Sequence, residues 1–297
     1  MKKRAIALLL TLSLILCFVS CDNPKPASTP TNTPIPTPAP TETPWALYKT
    51  MNVGSSKTLQ GTCLFINIFL ADGESSFTEM DKQIHIYTIH PVVKFLYAQA
   101  EKYNVPLSII YDTEDTIIDY TVDYIIPRGL SAEYWRYSEI IEIIEEIRLQ
   151  YDIDALMEKY DADNLSFIIN INKSGHCYAY SCEEKKNVEF DEVSIIYNYN
   201  GIPDGMPENE ISSAGNYSYA HEILHLFGAI DLYNLDKERL TLAKQYFPRD
   251  IMVTGSPLLK DLSIDALTAY LIGWTEELDE KYQIFLEWNK QYNTTKP

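Results

Sequence analysis

Positive charge is scarce in this chain. Among 297 residues, 24 Lys and Arg stand against 42 Asp and Glu, for a formal net charge of −18. Such a surface repels phosphate backbones and anionic headgroups, which excludes nucleic acid as a partner and argues against adsorption to an anionic membrane. The ordinary use of this acidity is solubility. Acid clusters could hold calcium, but no Asp-x-Asp-x-Asp-Gly loop occurs, so calcium stays unsupported. Cysteine is sparse too: five residues, at 17, 21, 63, 177 and 182, with no C-x-x-C pair. That removes a cysteine-rich zinc site and a dense disulfide scaffold. There is no internal repeat. The longest apolar run, residues 5–20, is shorter than the roughly 20 residues a bilayer-spanning helix needs.

What is present begins with Lys2, Lys3 and Arg4 before that apolar run, the layout of an export signal. Phe18-Val19-Ser20-Cys21 resembles the lipobox of bacterial lipoproteins, with Phe18 where leucine is usual. The resemblance implies a signal peptide over 1–20, lipidation of Cys21 and an extracytoplasmic protein anchored to the cell membrane. Cleavage removes three cations and takes the formal charge to −21. Residues 21–45 then form a linker: eight of the sixteen prolines lie between Pro24 and Pro44. A Pro/Thr-rich stretch buries no core and runs extended at about 3 Å per residue. Outside the cytosol, Cys177 and Cys182 could pair across a short turn, leaving Cys63 in a strand.

Residues 46–297 carry the folded part, with no second linker. Residues 62–70 (TCLFINIFL) read as a buried strand and 83–104 as a helix ended by Asn104 and Pro106. Another strand is expected at 107–112. Residues 132–160 read as one helix, with Ile140, Ile143, Ile144 and Ile147 inward and Glu139, Glu142, Glu145 and Glu146 on a solvated face. Strands follow at 165–172, 176–181 and 192–198, then a loop and a helix from about 212 to 227. This order implies a mixed α/β sandwich, in the α/β (α+β) class. Residues 46–60 are either a short pro-segment or the start of the domain.

The helix at 212–227 holds His221-Glu222-Ile223-Leu224-His225. One helical turn separates the histidines, so both imidazoles leave the same face and can grip one metal ion. Glu222 sits about 100° around the helix from His221, placed to take a proton from a metal-activated water without ligating. In a chain of this composition, H-E-x-x-H arises by chance roughly once in 150 sequences. Gly228 and Asp231 continue the pattern. Glycine accepts the left-handed turn that stops the helix, and Asp231 can return as the third ligand. Zinc accepts a carboxylate, and three protein ligands leave a fourth position open. Glu238, Glu276 and Glu277 are alternative third ligands. Two satisfied core histidines are the plain alternative to the pair, while His85, His90 and His176 read as ordinary histidines.

The pattern HExxHxxGxxD, from His221 to Asp231, resembles the zinc-binding stretch of the metzincin metallopeptidases. Aspartate at its last position is similar to the snapalysin-type enzymes, and HEILHLFGAIDLY resembles the immune inhibitor A family. Asp250-Ile251-Met252-Val253 resembles the metzincin Met-turn, and residues 262–274 fit the C-terminal helix that follows it. The resemblance implies a mixed sheet with two backing helices, an active-site helix, a Met-turn around Met252 and a C-terminal helix. It also implies one catalytic Zn2+ on His221, His225 and Asp231, with Glu222 as general base. The tyrosine that follows the methionine in some metzincins is absent; Tyr217, Tyr219 and Tyr233 are the candidate oxyanion donors. Cys63 belongs to the core and not to a cysteine-switch propeptide.

The expected activity is zinc-dependent endopeptidase action on extracellular protein by a monomer tethered through its N-terminal lipid. The substrate is expected to lie extended along an edge strand, with 176–181 the candidate. The alternatives are a non-catalytic cell-surface binding lipoprotein on the same scaffold and a zinc enzyme turned toward glycoproteins or cell-wall peptides.

Overall fold

The fold is built around strand β1 (Gly61–Ala71), whose eight inner residues are all buried. It belongs to a computed structural model that describes residues 54–126, 137–181, 191–198, 215–255 and 258–286. The signal segment, Cys21, the linker and Cys182 lie outside those residues, so the lipid anchor and the Cys177–Cys182 pair are not described. A strand apolar on both faces suits the middle of a parallel sheet. One edge of β1 pairs with β4 (Asn164–Ile171). The other edge is shared, first by β2 (Leu107–Ile110) and further along by β3 (Ile117–Thr121). Beyond β4 lies β6 (Val193–Tyr197), also parallel, and then the short antiparallel strand β5 (Tyr178–Tyr180). Among the described residues the sheet thus has six strands in the order β2/β3, β1, β4, β6, β5. The expected strand at 176–181 shrinks to three residues but takes the sheet edge.

Helices cover both faces. Helix α1 (Glu79–Lys102) starts at a capping box in which Thr78 and Asp81 each satisfy the other's main chain. It continues through Pro91 and stops where Asn104 turns left-handed, φ 56°. Its buried Ile89, Val93 and Leu96 share a cluster with Cys63 and Phe65 of β1. The expected single helix at 132–160 is two: α2 (Tyr137–Tyr151) and α3 (Ile153–Lys159). Asp152 breaks them apart at φ 43°, and its side chain caps α3 by accepting from the Ala155 N–H. Ile140, Ile143, Ile144 and Ile147 meet Leu64, Ile66, Phe167 and Ile169 on the opposite sheet face. Each fully buried Ile or Leu there contributes about 1.5–3 kcal/mol over exposure. The two expected backing helices therefore take one face each, and α1 shares its face with the histidine-bearing helix.

Residues 54–60 are part of this fold. The buried Glu192 carboxylate accepts from the Ser56 N–H (2.8 Å) and the Ser55 hydroxyl (3.0 Å). Asn164 accepts from the Lys57 and Thr58 amides, and Leu59 is fully buried. Further on, α5 (Lys237–Tyr246), capped by Asp236, has no counterpart in the sequence reading. The expected helix at 262–274 is reduced to α6 (Ala266–Leu271). Ser263 is spent on a bridge to Asp250, and Gly273, at φ 89°, ends the segment.

Candidate metal centre

Helix α4 (Asn216–Leu226) carries both motif histidines, and a buried polar triangle fastens it to the sheet. The Tyr219 hydroxyl donates to Asn170 Oδ1 on β4 at 2.6 Å. Asn198, just past β6, donates through Nδ2 to the Tyr219 oxygen at 2.7 Å and to Asn170 Oδ1 at 3.3 Å. All three residues are buried, and burial pushes the Tyr219 phenol far up. In a low-dielectric interior such bonds are costly to leave unmade, so they fix the rotation of α4. Tyr219 is thereby committed to the sheet, which removes it from the candidate oxyanion donors.

The opposite side of α4 presents His221 and His225. The helix stops at Phe227, and Gly228 takes φ 101°, a value that strains any residue with a Cβ. The turn returns the chain so that Asp231 faces the histidines. His221 Nε2 and His225 Nε2 are 3.1 Å apart, and Asp231 Oδ1 lies 3.1 Å from the first and 3.2 Å from the second. These three atoms form a near-equilateral triangle. A tetrahedral zinc ion with bonds of about 2.05 Å holds its ligands about 3.3 Å apart, so the triangle fits one face of that tetrahedron. Among the described residues, His221, His225 and Asp231 are the group of side chains that could hold a metal ion. Glu238, Glu276 and Glu277 are exposed and outside it.

The outer nitrogens are also accounted for. His221 Nδ1 lies 3.3 Å from the Ile251 carbonyl, and His225 Nδ1 lies 2.7 Å from the Ala229 carbonyl. A carbonyl only accepts, so each Nδ1 must carry the hydrogen. In the neutral rings, both Nε2 lone pairs then point into the triangle, which is the tautomer a metal requires. Asn234 donates to the second Asp231 oxygen at 3.2 Å. Without an ion, burial disfavours a charged His225, but Asp231 overrides it and raises the pKa to about 9. Burial likewise opposes the Asp231 charge, and hydrogen bonds from His221 and His225 hold its carboxyl far below the usual range. An anion facing two imidazoles suits a cation at the centre.

Around the triangle, Glu222 is buried, and burial raises its pKa. Cys177, immediately before β5, has its thiol pushed up to about 12, by burial first and the Glu222 charge second. Helix α4 as a whole packs against β5 and β6. Tyr217 and Tyr233 stack against His221 with ring centroids 5.4 Å and 5.8 Å away. Met252 is fully buried, and its carbonyl accepts from the Leu232 N–H, next to Asp231, at 2.9 Å. His85 is buried, His90 bonds with Tyr111, and His176 is exposed; none joins the group.

Sequence reasoning named Asp250 only as the first residue of the Met-turn resemblance and gave its side chain no role. Its fully buried carboxylate accepts from the Met252 N–H (2.7 Å), the Thr268 hydroxyl (3.0 Å) and the Asp265 N–H (2.7 Å). Burial raises its pKa to about 7, against the pull of those hydrogen bonds. The available signal was an acid set directly before the apolar run Ile251-Met252-Val253.

Comparison with known proteins adds little weight. No protein-family model matches the sequence, and no curated protein matches it significantly. Among solved structures, the chain is similar to a zinc-dependent peptidase from Methanocorpusculum labreanum (strain Z). The likeness has 12% identity and a TM-score of 0.34, covering 72% of this chain and 100% of that one. At that distance no functional argument rests on it, and the site's own geometry carries the reading.

Proposed function

We propose that the protein is a zinc-dependent endopeptidase, with His221, His225 and Asp231 as zinc ligands and Glu222 as general base. The observation that carries this is the triangle of Nε2, Nε2 and Oδ1 atoms at 3.1–3.2 Å, with both Nδ1 atoms turned to carbonyls. Bound there, zinc would act as a Lewis acid on the scissile carbonyl and acidify water at its open fourth position. Glu222 is buried beside the first ligand with its proton affinity raised, which suits a group that takes a proton from water and passes it to the leaving amine. Tyr217 and Tyr233 are the two remaining candidates to donate toward the developing oxyanion. β5 is the last strand in the sheet order, and an extended peptide substrate would run along it. The turn at Asp250 to Val253 serves as the Met-turn under this reading.

The N-terminal sequence adds where the enzyme works. A cleaved signal, a lipid on Cys21 and a proline-rich spacer would hold a monomeric catalytic domain off the membrane, facing extracellular protein.

The test is elemental analysis of the purified full chain beside Glu222→Gln, with hydrolysis followed on a broad peptide library. The expected result is one zinc per chain in both proteins, with hydrolysis lowered about 100-fold or more in the variant. Equal hydrolysis with zinc retained would sink the general-base role. Stoichiometric zinc without any cleavage would favour the surface binding protein.

A further inference from the structure

Zinc ligands are set by their own atoms and also by what holds them still. Two of the three ligands here are held by one turn. The Ile251 carbonyl faces His221 Nδ1 at 3.3 Å, and the Met252 carbonyl accepts from the amide of Leu232, the neighbour of Asp231, at 2.9 Å. The turn in turn closes on Asp250: its main-chain oxygen accepts from the Val253 and Thr254 amides at 3.0 and 3.1 Å. Its carboxylate gathers three donors, two of which belong to the start of α6.

We infer that Asp250 is a positioning residue for the metal site, one that holds the Ile251 and Met252 carbonyls against His221 and the Asp231 loop. The inference rests on the zinc reading above. Its physical basis is a count of donors. Three donors surround the two carboxylate oxygens, two of them main-chain amides that have no acceptor function of their own. An asparagine at this position has one oxygen. In either orientation, its amide group confronts the Met252 N–H or the Asp265 N–H. The turn must then shift, and both carbonyls shift with it. Groups that orient metal ligands from outside typically govern about 10–100-fold in metal affinity.

The experiment compares the full chain with Asp250→Asn, Thr268→Val and, as a control, Ile144→Ala. Ile144 is buried against the far face of the sheet, so its truncation lowers stability without touching the turn. Zinc affinity is read by chelator competition and ligand geometry by the visible spectrum of the cobalt(II) form. Asp250→Asn is expected to bind zinc 10–100-fold more weakly with an altered cobalt spectrum. Thr268→Val, which keeps the carboxylate but removes one donor, should show a smaller shift in the same direction and decides the matter if Asp250→Asn does not fold. Ile144→Ala should melt earlier yet bind zinc as the parent does. Parent-like affinity and cobalt spectra in both turn variants, with zinc bound by the parent, would overturn this inference alone. A parent that binds no zinc would overturn the zinc reading and this inference together.

Discussion

His221 is hydrogen-bonded through Nδ1 to the main-chain carbonyl of Ile251 at 3.3 Å, across 30 residues of sequence. The ligand triangle itself is local, because His221, His225 and Asp231 lie within one short stretch. The orientation of His221 is not local, since it depends on a turn that reaches the helix only after the chain has folded. Each part makes a separate prediction.

Asp231→Ala should remove zinc from the purified protein at equimolar metal, because two imidazoles alone leave the ion without its anionic ligand. Glu238→Ala, at an exposed site outside the triangle, should leave zinc stoichiometry at the parent value. Retention of one zinc per chain by Asp231→Ala, measured by elemental analysis, would place the third ligand elsewhere.

Metal binding should depend on pH in a defined direction. Without zinc, the Asp231 contacts raise the His225 pKa from 6.5 to about 9. The protonated pair therefore stabilises the metal-free fold fully below about pH 6.5, and that contribution is lost as pH rises through 9. Zinc must displace the same proton, so its affinity should climb between those values and level off above them. Chelator competition from pH 6.5 to 9.5, with melting curves of the metal-free protein, reads both effects. A flat affinity across that interval would contradict the coupling.

Tyr219→Phe should lower stability by about 1–3 kcal/mol, the cost of removing one buried hydrogen bond each from Asn170 and Asn198. Urea denaturation measures it. If Tyr219 only clamps the helix, kcat/KM in the folded variant should change far less than in Glu222→Gln. A loss as large as that of Glu222→Gln would return Tyr219 to the reacting centre.

His85 offers a test far from the metal. It is buried between Phe69 and Phe77, its Nε2 has no hydrogen-bond partner among the described residues, and burial lowers its pKa from 6.5 to about 4. The unfolded chain binds this proton more readily than the folded one, so stability falls as pH drops from 6.5 toward 4. His85→Leu should flatten that part of the acid limb in urea titrations. An unchanged acid limb would mean that other groups dominate it.

The site was more legible in the sequence than the frame that supports it. The spacing from His221 to Asp231 follows directly from the pitch of a helix and a glycine stop, so the residues could be named without knowing the fold. The strands at β1, β4 and β6 were visible as apolar runs. The short strand β3 was not, because IIDYT has only one fully buried residue. Asp152 was read as helix because its left-handed conformation depends on capping α3, which a helical period does not reveal. The side-chain roles of Asp250, Asn170 and Asn198 stayed hidden for a common reason. Their worth lies in donors and acceptors that arrive from distant segments, and no local pattern marks that.

The placement of β1 also sets a timetable. Its register joins Cys63 to Ile109's neighbourhood on one edge and to Asn164 on the other. In a chain that emerges amino end first, this strand is made early and must wait about a hundred residues for its second neighbour. Pairing over such separations is slow to nucleate, since the loop must close before the contacts form. The domain would thus leave the ribosome still loosely organised. Assembly of the His221, His225 and Asp231 group, which leans on the later turn at Asp250, would come last.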